Sequence, residues 1–173
     1  MAKDATTSVN RRSDIISAAI EVFAETGYYR STTALVAERA KISQPYIFRF
    51  FPTKEALLVT ALEVSWARII ESFRQVVESA SPEKLEKDLI IAYEKILEDH
   101  RNEILLQMQA QTIQEDSIRE TMRNGFREVR QIVLEAFRKA EIGNPEQCTM
   151  LFLARGMLCN IAEAIGMPEL KET

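Results

Sequence analysis

Apolar residues recur along this chain at spacings of three and four, the period of a helix with one buried face, over most of its length. From Arg11 the positions Ile15, Ile16, Ala19, Ile20, Phe23 and Ala24 form such a stripe, and Gly27 follows as a C-cap candidate. Ser31 or Thr32 can cap a short second helix through Ala40, with Leu35, Val36 and Ala40 inward. Lys41-Ile42 then leaves only a tight turn before Ser43, which can cap a third helix opening Gln44-Pro45. Pro52-Thr53 stops that helix, and Thr53 caps a fourth from Lys54 to about Ser79. Ser81-Pro82-Glu83 predicts the start of a fifth helix to about Asp99, and a sixth follows over about 102–114. Ser117 and Glu120 have capping-box spacing and open a seventh helix to Ala140. Gly143 ends that turn, and Asn144 and Gln147, with Pro145 between, form a second box for an eighth helix to about Ile165.

Glycine and proline sit at these junctions and not inside the periodic segments, which predicts an all-α chain of about eight helices without strand or repeat. Met1–Asn10 is polar and lacks an apolar stripe, so a disordered arm is expected there. A three-helix head over 11–54 and a C-terminal helical bundle over 55–173 complete the expected organisation. An apolar content of 46% excludes wholesale disorder. The opening residues carry no signal-like apolar run, and no apolar stretch approaches the roughly 18 residues that cross a bilayer. A cytoplasmic protein outside the membrane is therefore expected.

The formal charge of −4 argues against nucleic acid until the chain is divided. Residues 1–54 hold eight Lys/Arg against five acids, leaving −7 on the remainder, so a basic front end precedes an acidic body. Cys148 and Cys159 are eleven residues apart in one expected helix, about 16 Å along its axis, and cannot pair with each other. With His100 the sole histidine and no Cys/His cluster, neither a metal site nor a cofactor is expected. Glu94, Glu98, Asp99 and Glu103 flank His100, but no nucleophile–base pairing or phosphate loop accompanies them, so they read as solvated helix faces and not as an enzyme's centre.

Two short helices joined by a tight turn over 32–51 have the form of a helix-turn-helix, whose second helix enters a major groove. Gly27-Tyr28, Thr32-Thr33, Val36-Ala37, Ala40, Ile42-Ser43, Phe48-Arg49-Phe50-Phe51 and Lys54-Glu55-Ala56-Leu57 closely resemble, in order and spacing, the N-terminal signature of TetR-type (tetracycline-repressor-like) transcriptional regulators. Lys41 and Pro45 stand where that family usually has glycine, and Phe48 where it has tyrosine, so one expected phosphate or backbone hydrogen bond is lost. Lys41 implies either a turn without positive φ or a conformational cost. Gln44 can pair bidentately with adenine, while Pro45 and Tyr46 can meet thymine methyls or phosphate. The resemblance puts Thr33 and Lys54 on phosphates; Arg49 and Phe50 join the DNA-facing candidates, a solvated cation and a partly buried ring being their alternatives. Ile15, Phe23, Val36, Ile47 and Phe51 are expected core.

A single short recognition helix calls for a second, so a homodimer on double-stranded DNA is expected, joined through the last two helices, about 117–165. Met122, Phe126, Val129, Val133, Ala136 and Phe137 in the first of these, and the many apolar positions of the second, are the candidate surface, with Ala154, Gly156 and Ala162 allowing close approach. The resemblance also implies a small apolar effector that releases a repressor from a palindromic operator. Its pocket candidates are Trp66, Ile70, Phe73, Tyr93, Leu97, Met108, Gln109, Met122 and Phe126, with Gln109, Gln111 and Thr112 otherwise expected in solvent. The rival function is a helical interaction protein that has lost DNA binding.

Overall fold

The computed structural model describes residues 2–171, with side chains from Asn10 onward, and every regular element among them is helical. The order is α1 (Ala2–Thr26), α2 (Thr33–Arg39), α3 (Gln44–Ile47), α4 (Lys54–Ser79), α5 (Leu85–Asp99), α6 (Arg101–Ala110), α7 (Asp116–Lys139) and α8 (Pro145–Ile165), with a closing 3-10 turn at Pro168–Lys171. α1 begins at Ala2 and not at Arg11, so the polar stretch expected as an arm continues the helix. Neither Gly nor Pro interrupts that stretch, and an existing helix adds residues more easily than a new one nucleates. Met1 of the expected arm lies outside the described residues.

Helix ends follow local hydrogen bonding, which differs from expectation in places. Thr32 accepts from the Leu35 amide at 3.2 Å and Thr53 from the Ala56 amide at 3.0 Å, as their positions predict. Ser43 and Asn144 make no such bond. Asn144 has φ +54°, outside the extended backbone from which a capping side chain reaches the first-turn amides. α5 starts only at Leu85 because the Lys84 amide closes a turn on Ser81 O, and α6 ends at Ala110 as the chain tightens into i→i+3 bonds up to Ile113. Lys41 settles the alternative left open above. It takes φ +55°, its amide bonds to Glu38 O and that of Ile42 to Ala37 O, so α2 ends in a left-handed turn with lysine where glycine would be unstrained. Glu141 ends α7 in the same way at φ +54°, ahead of Gly143.

The chain forms two compact units, Met1–Val64 with Leu106–Met122 and Ser65–Leu105 with Arg123–Thr173; α4, α6 and α7 each contribute residues to both. In unit one the core is Ile15, Ile16, Ala19, Ile20 and Phe23 of α1, Val36 and Ala37 of α2, Ile47, Phe51, and Leu57, Leu58, Ala61 and Leu62 of α4, all buried. Leu35, expected inward, is outward and exposed.

In unit two Phe73, Phe137 and Phe152 stack edge-on, and Phe73 also meets Tyr93, whose hydroxyl donates to Asn160 Oδ1 at 2.7 Å. Burial pushes that hydroxyl's pKa up to about 12. α7 buries Val129, Val133, Ala136 and Phe137, so these expected interface residues are intramolecular core. Gly156 likewise serves the chain's own packing, since a Cβ there would stand 3.4 Å from the Tyr93 ring. α8 is different: Met150, Leu151, Ala154, Leu158, Ile161 and Ile165 are exposed along one side, while Phe152, Cys159 and Ala162 are buried. Apolar on two sides, α8 has a stretch of mean hydropathy 1.4, long and apolar enough to cross a membrane, contrary to the expectation from sequence.

Gly125 of α7 is required by packing, because a Cβ there would overlap the indole carbons of Trp66. Gly125→Ala is expected to cost about 1–3 kcal/mol in urea unfolding through overpacking. Gly143→Ala, which meets nothing within 4 Å, is the control and leaves the midpoint essentially unchanged.

Candidate nucleic-acid interface

α3 is too short to hold itself, and burial holds it. Ile47 is 0% exposed, Phe51 is buried beside it, and the amides of Phe50 and Phe51 turn back onto Ile47 O at 2.9 and 3.0 Å. Fixing that side in the core leaves Gln44, Pro45, Phe48 and Arg49 exposed and Tyr46 and Phe50 half-buried. Gln44 Nε2 donates to Thr33 Oγ1 at 2.8 Å. Thr33 is buried, so this bond holds the exposed Gln44 amide from its inner side. Arg49 lies over the Tyr46 ring, 5.2 Å from its centroid, and Tyr46 meets Phe50 edge-on, giving one connected outward group where separate contacts were expected. Arg12 lies over Phe51 at 5.2 Å.

Lys54 is turned inward more than its expected phosphate role requires. Its ammonium donates to Tyr28 O at 2.8 Å and Ser31 O at 3.1 Å and stands 4.3 Å from the Tyr28 ring centroid, tying α4 to the loop between α1 and α2. Gln109, expected in solvent, is half-buried and donates to Ala24 O at 2.7 Å in the last turn of α1. Ser117 bonds to Glu55 in the first turn of α4. The segment 106–122 is thus built into the unit that carries the helix-turn-helix, a contact across 85 residues of chain that local pattern cannot reveal.

Of the effector candidates, Trp66, Ile70, Phe73, Tyr93, Leu97 and Phe126 belong to unit two, and Met108, Gln109 and Met122 to unit one. Trp66, Ile70, Phe73, Leu97 and Met122 are buried, and Tyr93, Met108, Gln109 and Phe126 are half-buried. Glu103, expected on a solvated face, is 7% exposed, paired with Arg68 at 3.2 Å and 3.7 Å from His100 Nδ1. Desolvation holds its pKa up. Cys148 and Cys159 are free, and burial raises the Cys159 thiol.

An ionic clamp absent from the expectations steadies α2. Arg39 donates to Glu21 Oε2 at 2.7 Å and to both carboxylate oxygens of Glu25 at 3.0 and 2.7 Å, joining α2 to α1. The Arg39 hydrogen bonds hold the Glu25 pKa below its ordinary 4.5. A depressed carboxyl stabilises the fold above its unfolded value and loses that contribution as pH falls through the folded one. Glu25→Gln is therefore expected to lower the urea midpoint at about pH 7, with the difference shrinking as pH falls below the ordinary glutamate value of 4.5. Identical pH slopes for both proteins would remove the clamp from the head's stability.

Residues 15–61 match the model of the bacterial regulatory proteins, tetR family. The fatty acid metabolism regulator protein of Bacillus subtilis (strain 168) is 28% identical over 97 residues, covering 55% of this chain and 50% of the relative. The HTH-type transcriptional regulator YuxN of the same organism is 32% identical over 96 residues, covering 54% of this chain and 33% of that protein. The matched region thus spans half or less of these curated relatives. Among solved structures, the fatty acid degradation regulator FadR from Bacillus halodurans superposes with a TM-score of 0.77 at 18% identity, over 92% of this chain and 93% of the other. FadR from Bacillus subtilis, in complex with stearoyl-CoA, gives 0.73 at 16% identity, over 92% and 97%. These structural likenesses show the fold, and the relatives are regulators and not enzymes. The head over residues 15–61 thus matches the tetR-family model, and the all-helical fold as a whole is similar to that of a TetR-like transcriptional regulator from Rhodococcus sp. RHA1.

Proposed function

We propose that this chain is a homodimeric repressor that binds a palindromic operator in the cytoplasm and releases it when a long-chain acyl thioester binds. The observation that carries the DNA-binding half is the exposed edge of α3. Gln44 is oriented by Thr33, Pro45 stands beside it, and the Arg49–Tyr46 pair is adjacent, all outward from a buried Ile47. In this reading Gln44 and Pro45 meet base edges, Tyr46 and Phe50 supply apolar contact and Arg49 faces phosphate, while Thr33, expected on a phosphate but buried, acts by orienting Gln44. Lys54 contributes by holding the α1–α2 loop, with one ammonium proton left for phosphate. Phe48, exposed and without a hydroxyl, contributes no hydrogen bond. The left-handed turn at Lys41 favours this reading over a head that has lost DNA binding, because the helix-turn-helix geometry is kept at a conformational cost.

The effector class rests on the fatty-acid regulators among the relatives and on the stearoyl-CoA bound by one of them. For dimerisation, α8 carries the observation. A face of Met150, Leu151, Leu158, Ile161 and Ile165 exposed along about four turns is larger than a solitary soluble helix leaves to water, and a second copy across a two-fold axis covers it.

Operators selected from random duplexes by the purified protein would supply the DNA for the test. Fluorescence anisotropy should show affinity falling steeply with salt, and Gln44→Ala should bind the selected duplex about tenfold or more weakly while keeping its affinity for random DNA. No binding to any duplex at low salt would overturn the proposal. Leu158→Arg should convert a dimer in sedimentation velocity into a folded monomer and weaken operator binding in parallel. A wild-type monomer at micromolar concentration would refute the dimer.

A further inference from the structure

Trp66 is the sole tryptophan of the chain, and among the described residues its indole N–H has no acceptor. The residue is 6% exposed. Nearly all buried polar groups in folded proteins are hydrogen-bonded, so a donor at this depth calls for a partner from outside the chain. The ring is also held in place. One side lies on the α7 backbone at Gly125, where any side chain would collide with it, and Phe126 meets it edge-on at 4.9 Å between centroids. The clamped indole cannot swing its N–H toward solvent. Ile69, Ile70 and Phe73, one and two turns along α4, and Val129, one turn along α7, are apolar and buried, and the adjacent Ser65 donates its hydroxyl to Glu103 O. The nearby cations of α4 are already engaged, Arg68 with Glu103 at 3.2 Å and Arg74 with Glu128 at 2.6 Å.

A single neutral donor in such surroundings suits a single neutral acceptor. A carboxylate here would be a buried charge without a counter-ion, which the interior does not tolerate. An ester or thioester carbonyl at the end of an alkyl chain would satisfy the N–H and place its hydrocarbon among the apolar side chains. We propose that Trp66 Nε1 is the hydrogen-bond anchor of the effector's carbonyl, and that it selects esterified over free fatty acids. The proposal rests on the acyl effector proposed above.

The test compares palmitoyl-CoA, its thioether analogue S-hexadecyl-CoA, which lacks the carbonyl, and palmitate, by calorimetric titration of wild type and Trp66→Phe. The wild type should bind palmitoyl-CoA about fivefold or more tighter than the thioether, the usual worth of one net hydrogen bond, and palmitate most weakly. Trp66→Phe should bind palmitoyl-CoA and the thioether alike, because carbonyl and N–H form one coupled pair. The indole emission of the wild type should shift on adding palmitoyl-CoA and stay unshifted by the carbonyl deletion. Equal binding of the two CoA compounds by the wild type, as when a buried water satisfies the N–H, overturns the anchor, and so does a thioester preference that survives in Trp66→Phe. If Trp66→Phe does not fold, the wild-type comparison of thioester with thioether decides alone. Failure of the wild type to bind either CoA compound while still binding operator DNA would defeat the acyl effector itself, and the anchor with it.

Discussion

Everything outward on the head depends on the burial of Ile47 and Phe51. A helix of four residues has almost no stability of its own, because nucleation costs more than one turn of hydrogen bonds returns. α3 exists because these two side chains sink into a core supplied by α1, α2 and α4, and because Pro45 presets the backbone of its first turn. With one side committed to the interior, helical geometry decides which residues face outward. Gln44, Pro45 and Arg49 have no inward alternative. The bond from Gln44 to the buried Thr33 hydroxyl then removes rotamer freedom from the amide, which in the proposed reading lowers the ordering cost of recognition.

The rest of unit one stabilises that arrangement with polar contacts at its seams. Arg39 spans α2 and α1 through two carboxylates, and Lys54 ties α4 to the α1–α2 loop through carbonyls and the Tyr28 ring. Gln109 completes the last turn of α1 with a hydrogen bond to Ala24 O. Each ties a helix end or loop that the apolar core alone leaves undetermined, and each uses a residue whose charge or amide would otherwise read as surface. A lysine at φ +55° is the conformational cost of the tight turn, carried by the surrounding packing.

Unit two obeys a different constraint: α8 has more apolar surface than its own chain covers. Phe152, Cys159 and Ala162 face inward, and Met150, Leu151, Leu158, Ile161 and Ile165 face out. The same two-sided character gives α8 the hydropathy of a membrane span, and in the proposed homodimer a second copy of the chain covers its outer side. Trp66 poses the opposite problem, a polar atom sealed among apolar ones. Its ring is locked by Gly125 and Phe126, so the unmatched donor is a stable feature of the interior, suited to a ligand that is apolar except for one carbonyl.

The periodic stripe from Ile15 to Ala24, the Thr32 and Thr53 caps and the spacing around Ile47 and Phe51 sufficed to read the helices and the helix-turn-helix from sequence, because these depend on contacts within a few residues. The sequence likewise determined that Gln44, Pro45 and Arg49 face outward, since that follows from which positions are apolar. It could not determine that Asn144 and Lys41 would take left-handed backbone, that Gln109 would reach Ala24, or that Arg39 would bridge to Glu21 and Glu25. The last two depend on partners 14 to 85 residues away. Nor could it separate the inward from the outward side of α8, or divide the apolar residues of α7 between interior and interface, since an apolar residue looks the same in sequence whether its own chain or a partner covers it. Only tertiary packing decides which hydrophobic faces are satisfied and which polar atoms, such as Trp66 Nε1, are left without a partner.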